Sequence, residues 1–158
     1  SANVEKLILT GSSPINGTGN GLSNVLTGNS AANQLNGGGG NDTLDGGYGA
    51  NRLTGDAGND IFKFTSKGPV DVITDYHVAD DTIQLENSVF TALCDPGVLA
   101  ADQFRLGAKA LDANDHIIYN SATGALIYDA NGNGTGGAIQ IAMIGTGLAL
   151  TNAEIVVI

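Results

Sequence analysis

Five oxygen-bearing side chains in the first half of the chain fall on one grid: Asn24, Asn33, Asp42, Asn51 and Asp60 follow each other at intervals of nine residues, each behind a stretch rich in glycine, asparagine or serine. Carboxylates and carboxamides are hard oxygen donors. With no cysteine or histidine among them, the chemistry they offer is the capture of a hard cation, not nucleophilic or acid–base catalysis. Other reactive residues in the chain lack partners at a useful spacing. His77 and His116 have no metal-spaced companion, and Cys94, beside Asp95-Pro96, reads as a turn or buried thiol. Asp80 and Asp81 would be paired catalytic carboxylates only if they faced one point, and adjacent residues on a strand point to opposite faces.

Nine is not a helical period, so the elements that position these residues must be something else. Leu26, Leu35, Leu44, Leu53 and Phe62 repeat on the same interval. The units are GNGLSNVLT (19–27), GNSAANQLN (28–36), GGGGNDTLD (37–45), GGYGANRLT (46–54) and GDAGNDIFK (55–63). Each reads as a six-residue turn followed by a three-residue strand whose middle residue points inward. One unit cannot bury its single leucine, whereas a stack makes a continuous apolar ladder. A flexible linker would not hold apolar residues in register. If successive strands lie in opposite sheets, one coil takes two units, and turns two units apart stack on one edge.

That geometry places Asp42 and Asp60 in adjacent turns, separated by roughly the 4.8 Å strand spacing. Two carboxylates about 4 Å apart repel by about 4 kcal/mol at an effective dielectric of about 20. A cation accepting six to eight oxygens relieves that repulsion and also takes the aligned turn carbonyls. Calcium suits this donor set better than magnesium, which gives up its waters reluctantly, or zinc, which prefers thiolate and imidazole.

Composition agrees. The chain carries 6 Lys and Arg against 16 Asp and Glu in 158 residues, a net charge of -10. No basic patch exists to grip phosphates, so nucleic acid is not an expected partner. A single cysteine permits no internal disulfide, and no apolar run reaches the length of a membrane span. Hydrophobic residues make up 42% of the chain, too many for a disordered tract, while 24 glycines break any helical pattern.

The unit GGGGNDTLD matches the template G-G-x-G-x-D-x-U-x, with U a bulky apolar residue, and so resembles the RTX (repeats-in-toxin, hemolysin-type) calcium-binding repeat of secreted bacterial proteins. DVITDYHVADDTIQL (71–85) is similar to the roll-closing segment of serralysin-like C-terminal domains, and DHIIYNSATGALIYDANGNGTGGAIQIAMIG (115–145) to the β-rich cap of many RTX C-termini. The resemblance implies an all-β fold: a right-handed parallel β-roll, a two-sheeted solenoid of nonapeptide repeats, followed by a β-rich C-terminal cap. The divisions are degenerate N-terminal repeats over 1–18, the calcium-binding roll over 19–63, and the roll-closing segment and cap over 64–158.

Ligands follow from the family pattern, position by position. One expected calcium site uses Gly38, Gly40 and Asp42 with Gly55, Ala57 and Asp60. A second uses Asn20, Leu22 and Asn24 with Gly37, Gly39 and Asp42. A third, on the opposite edge, uses Asn29, Ala31 and Asn33 with Gly46, Tyr48 and Asn51, and lacks a carboxylate. At the end of the array Asp56 and Gly58 with Asp60, and Gly47 and Gly49 with Asn51, await partners among Asp71, Asp75, Asp80 and Asp81. The loop from Asp129 to Gly134 opens like an EF-hand but has Gln140 where the closing glutamate belongs, so a hairpin turn is preferred. The resemblance further implies a non-catalytic module of a larger parent polypeptide, secreted to the extracellular space by a type I ABC transporter that reads the C-terminus. There, Glu154-Ile155-Val156-Val157-Ile158 is an acidic residue with an apolar end. An accessory tail of a secreted hydrolase and an adhesin or ligand-binding module are the competing readings.

Overall fold

The computed structural model describes residues 5–158, so the first four residues of the expected N-terminal repeats lie outside the described part. Nine short strands form a coil: β1 (Lys6–Ile8), β2 (Gly17–Thr18), β3 (Val25–Thr27), β4 (Gln34–Gly39), β5 (Thr43–Asp45), β6 (Arg52–Ala57), β7 (Ile61–Phe64), β8 (Asp71–Ile73) and β9 (Thr82–Leu85). Six more follow: β10 (Gly97–Val98), β11 (Phe104–Leu106), β12 (Ile117–Asn120), β13 (Ala125–Asp129), β14 (Ala138–Met143) and β15 (Ile155–Val157). The described helices are two single 3₁₀ turns, Ala101–Gln103 and Asn152–Glu154, and no helix among the described residues is long and apolar enough to cross a membrane.

Within the coil the odd strands stack in parallel in one sheet and the even strands in the other, so one coil does take two nonapeptides. Leu26 aligns with Leu44 and Leu44 with Phe62 in the first sheet, and Leu35 with Leu53 in the second. Inward positions Leu26, Leu44, Phe62, Ile83, Leu35, Leu53 and Ile73 are each at most 3% exposed, which makes the leucine ladder the core between the sheets. The chain is thus a parallel β-roll of about 4 turns. Strands β4 and β6 are twice the expected length because the start of the next turn stays paired, Gly38 with Asp56 and Gly39 with Ala57. At the N-terminal side Gly17 holds the inward position of β2, and the Leu7 and Leu35 side chains close over it, leaving 2.9 and 3.1 Å to where a Cβ would stand.

The C-terminal region covers the other end by lengthening both sheets. Strand β15 adds to β9 in parallel and β10 to β15 antiparallel, while β14 adds to β8 in parallel and continues through β13, β12 and β11. Both exposed strand edges of the last coil are thereby paired. The apolar ladder runs without a break into Ile117, Tyr119, Leu126 and Tyr128. Two buried tyrosines pin the loops of this region, each meeting a backbone partner with its polar tip. The Tyr119 hydroxyl donates to the Gly145 carbonyl (2.7 Å), and the Tyr128 hydroxyl accepts from the Ala92 N–H (2.9 Å). Cys94 is exposed in the loop between β9 and β10, and the Asp129 loop is the connection of the β13–β14 hairpin.

Candidate metal centre

The turns stack in two columns, one on each edge. On one edge, turns 19–24, 37–42, 55–60 and the longer 74–81 bring Asn24, Asp42, Asp60 and Asp81 into line. Each carboxylate is fixed by the preceding turn: Asn24 N–H donates to Asp42 Oδ1 (2.7 Å), Asp42 N–H to Asp60 Oδ1 (2.8 Å) and Asp60 N–H to Asp81 Oδ1 (3.0 Å). Asp42 and Asp60 are each 1% exposed, and their second oxygens, Oδ2, are buried without any hydrogen-bond partner. Unpaired buried carboxylate oxygens are costly unless something positive meets them. Neither ion pair of the described residues, His77 with Asp80 and Arg105 with Asp115, includes Asp42 or Asp60.

Glycine at the first position of each turn makes room for these oxygens. A methyl group on Gly37 would overlap Asp42 Oδ2, and one on Gly55 would overlap Asp60 Oδ2. Second and fourth positions meet backbone. The Asn20 carbonyl lies against the Cα of Gly38 and the Leu22 carbonyl against that of Gly40, a closeness that only the missing Cβ permits, and both glycines have positive φ. Asp56 takes the second position of its turn at φ 65, held by Asn36 Nδ2 on its Oδ2 (2.7 Å) and by Asp75 Oδ2, which accepts its N–H (2.8 Å).

The first two expected ligand sets are brought together as neighbouring turns. Within them the Ala57 carbonyl accepts from Gly40 N–H (2.8 Å) and the Asn20 carbonyl from Gly39 N–H (2.9 Å). Each of these bonds uses one of the two lone pairs that a carbonyl oxygen carries. Leu22 and Tyr48 project into solvent and could offer only backbone oxygens. Among the described residues no three His, Cys, Asp or Glu side chains converge, so an ion here would be held mainly by carbonyls with one or two carboxylates. That donor set fits calcium and does not fit a zinc-like site.

Of the four aspartates after the array, the structure distributes each to a different place. Asp81 continues the aspartate column, and Asp71 lies on the opposite edge under Asn51. Asp75 accepts the Gly55 and Asp56 N–H groups from an exposed position, and Asp80 binds His77 Nδ1 at 2.6 Å. Asp80 and Asp81 diverge, though within a turn and not along a strand. Asp71 is therefore not brought to the aspartate edge. Asp81 escaped individual assignment because the coil that leads to it is three residues longer than two repeats, as the pairing of Phe62 with Ile83 shows.

On the opposite edge the column is Asn33, Asn51 and Asp71. Asn33 N–H donates to Asn51 Oδ1 (2.9 Å), and Asn51 N–H to Asp71 Oδ1 (2.8 Å). The third expected ligand set is assembled here around two amides.

Burial raises every column carboxyl. Asp60 is pushed to about 6 by desolvation, with the neighbouring carboxylates Asp81, Asp42 and Asp75 adding to the rise. Asp71 is pushed to about 6 by desolvation, and Asp42 and Asp81 move up for the same first reason. A carboxyl whose folded pKa exceeds its unfolded one binds its proton more tightly when folded. The metal-free roll therefore gains stability in acid, and the gain is lost as pH rises through about 6. Far-UV circular dichroism in chelator should show a β signal that grows as pH is lowered from about 7 to about 4.5. A signal that shrinks across that window would contradict the burial of these groups.

Comparison with known proteins meets this geometry. The RTX calcium-binding nonapeptide repeat family matches residues 18–47 and 27–62, in four copies. Residues 18–62, the coil, thus carry RTX calcium-binding nonapeptide repeats. In fold it is similar to a subunit of the Azotobacter vinelandii mannuronan C5-epimerase, whose solution structure shares 24% identity at a TM-score of 0.59, covering 99% of this chain and 85% of that one. No curated protein sequence matches the chain.

Proposed function

We propose that this module is a calcium-driven folding switch, non-catalytic in itself, carried by a larger bacterial protein that leaves the cell through a type I transporter and folds outside. The observation that carries the reading is the pair of buried, unpartnered oxygens Asp42 Oδ2 and Asp60 Oδ2, one turn apart, walled by glycines. Calcium held by Gly38, Gly40 and Asp42 with Gly55, Ala57 and Asp60, and by Asn20, Leu22 and Asn24 with Gly37, Gly39 and Asp42, would satisfy both and the carbonyls around them.

The energetics suit a switch. Bacterial cytosol holds too little calcium to fill sites of extracellular affinity, so repulsion keeps the turns open during export. At about 1 mM calcium and a dissociation constant of about 10⁻⁴ M, each site adds about 1.4 kcal/mol, and stacked turns sum such terms. The sheet-lengthening strands β14 and β15 then seal the last coil. The parent polypeptide's chemistry lies elsewhere; the divergence of Asp80 and Asp81 supports a role without catalysis.

Far-UV circular dichroism during calcium titration from a chelated start tests this, with magnesium as control. A cooperative gain of β signal with calcium alone is expected. Full structure in chelator, unmoved by calcium, would overturn the reading and leave a static scaffold.

A further inference from the structure

We propose that the asparagine edge of the roll takes no cation, because the amides of Asn33 and Asn51 themselves occupy a cation's place and close the turns by hydrogen bonds. The contrast with the other edge rests on the reading above; the closure itself stands on its own contacts.

Backbone N–H groups dictate how each amide is turned. Asn33 Oδ1 accepts from Asn29 N–H at 2.8 Å, and Asn51 Oδ1 from Asn33 N–H at 2.9 Å. The other arm of each amide must then be the NH₂ group. Asn33 Nδ2 donates to the Ile15 carbonyl at 2.7 Å, and Asn51 Nδ2 to the Gly49 carbonyl at 2.8 Å and to Asp71 Oδ1 at 2.9 Å. Flipping either amide would set oxygen against carbonyl oxygen and NH₂ against N–H, two mismatches at side chains that are 2% exposed. In Asp42 and Asp60 the arm that faces the turn glycine, where Asn51 sets its NH₂ and Asn33 its Oδ1, is an oxygen with no partner. One edge thus presents unmet negative charge; on the other, the amide donors are already spent, Asn33 on the Ile15 carbonyl and Asn51 on Asp71 and on Gly49, a carbonyl of the end-of-array set. Asn33 and Asn51, the side-chain members of the third ligand set (Asn29, Ala31 and Asn33 with Gly46, Tyr48 and Asn51), are thus held in a hydrogen-bonded clasp with Asp71 as its terminal acceptor.

Ions per chain counted by native mass spectrometry, melting curves in saturating calcium, and side-chain amide exchange by NMR on the full chain decide the matter. Asn51→Ala should leave the calcium count at the wild-type value while lowering the melting temperature by roughly 2–4 °C. Asn51→Asp should raise the count, and Asp60→Asn should lower it. The Asn33 and Asn51 NH₂ protons should exchange roughly tenfold or more slowly than those of exposed Asn59. A lower ion count in Asn51→Ala, or NH₂ exchange as fast as at Asn59, overturns the proposal. If the wild type binds no calcium at all, the folding-switch reading fails, and slow or fast exchange at Asn51 still decides this one.

Discussion

Asp42→Ala should raise the calcium concentration needed to fold the chain by about tenfold or more, a loss of at least about 1.4 kcal/mol of binding. Asp42 sits between two stacked sites, with Oδ1 held by Asn24 N–H and its own N–H holding Asp60 Oδ1. Its removal takes a carboxylate from both. The same change deletes a buried, unpartnered charge, so the chelated variant should be no less structured than the chelated wild type. That pairing of effects, weaker response to calcium without weaker metal-free structure, separates ligand loss from ordinary destabilisation. Asp95→Ala, at an exposed turn outside the roll, serves as control; equal midpoints for the two variants would remove Asp42 from the site.

Phe62→Ala should cost about 3–5 kcal/mol of stability in saturating calcium. The ring is fully buried, aligned with Leu44 on one side and Ile83 on the other, and packs against Tyr76 with ring centres 6.0 Å apart. Neither strand neighbour can collapse into the gap, because both are fixed by their own pairing. Phe62 also belongs to the coil where the regular repeat gives way to the longer closing turns, so the loss falls at the joint between the roll and the C-terminal strands. Urea unfolding should show a lower midpoint with an unchanged slope. Val25→Ala, on the outer face of the same sheet, should stay within about 0.5 kcal/mol of wild type. A comparable loss in both would deny the ladder its role as core.

Much of this was legible in the sequence because nine residues is a period with one simple structural solution. Leu26 to Phe62 announced the ladder, and Asp42 and Asp60 announced a shared edge, since spacing alone fixes both. Two things escaped. The closing turns broke the grid: Asp71 meets Asn51 and Asp81 meets Asp60 across turns longer than two repeat units, so both aspartates could be named as candidates but not placed. The opposed characters of the two edges were hidden as well. An asparagine and an aspartate look alike as oxygen donors until the backbone N–H claims one oxygen and shows what the other arm is. The C-terminal region read as β-rich from its resemblance, but its joining of both sheets depends on long-range pairing of β14 with β8 and β15 with β9, which no local pattern encodes.

The aspartate column also has a direction. Asn24 orients Asp42, Asp42 orients Asp60, and Asp60 orients Asp81, each by a backbone N–H handed forward to the next turn. Order is relayed one way, like tension along a rope made fast at one end: slackening a turn loosens the carboxylate after it, whereas losing the last turn leaves the earlier carboxylates held. Asp81, where the relay stops, is also gripped by His77 N–H on its second oxygen, so the rope is tied off where the closing strand β9 begins.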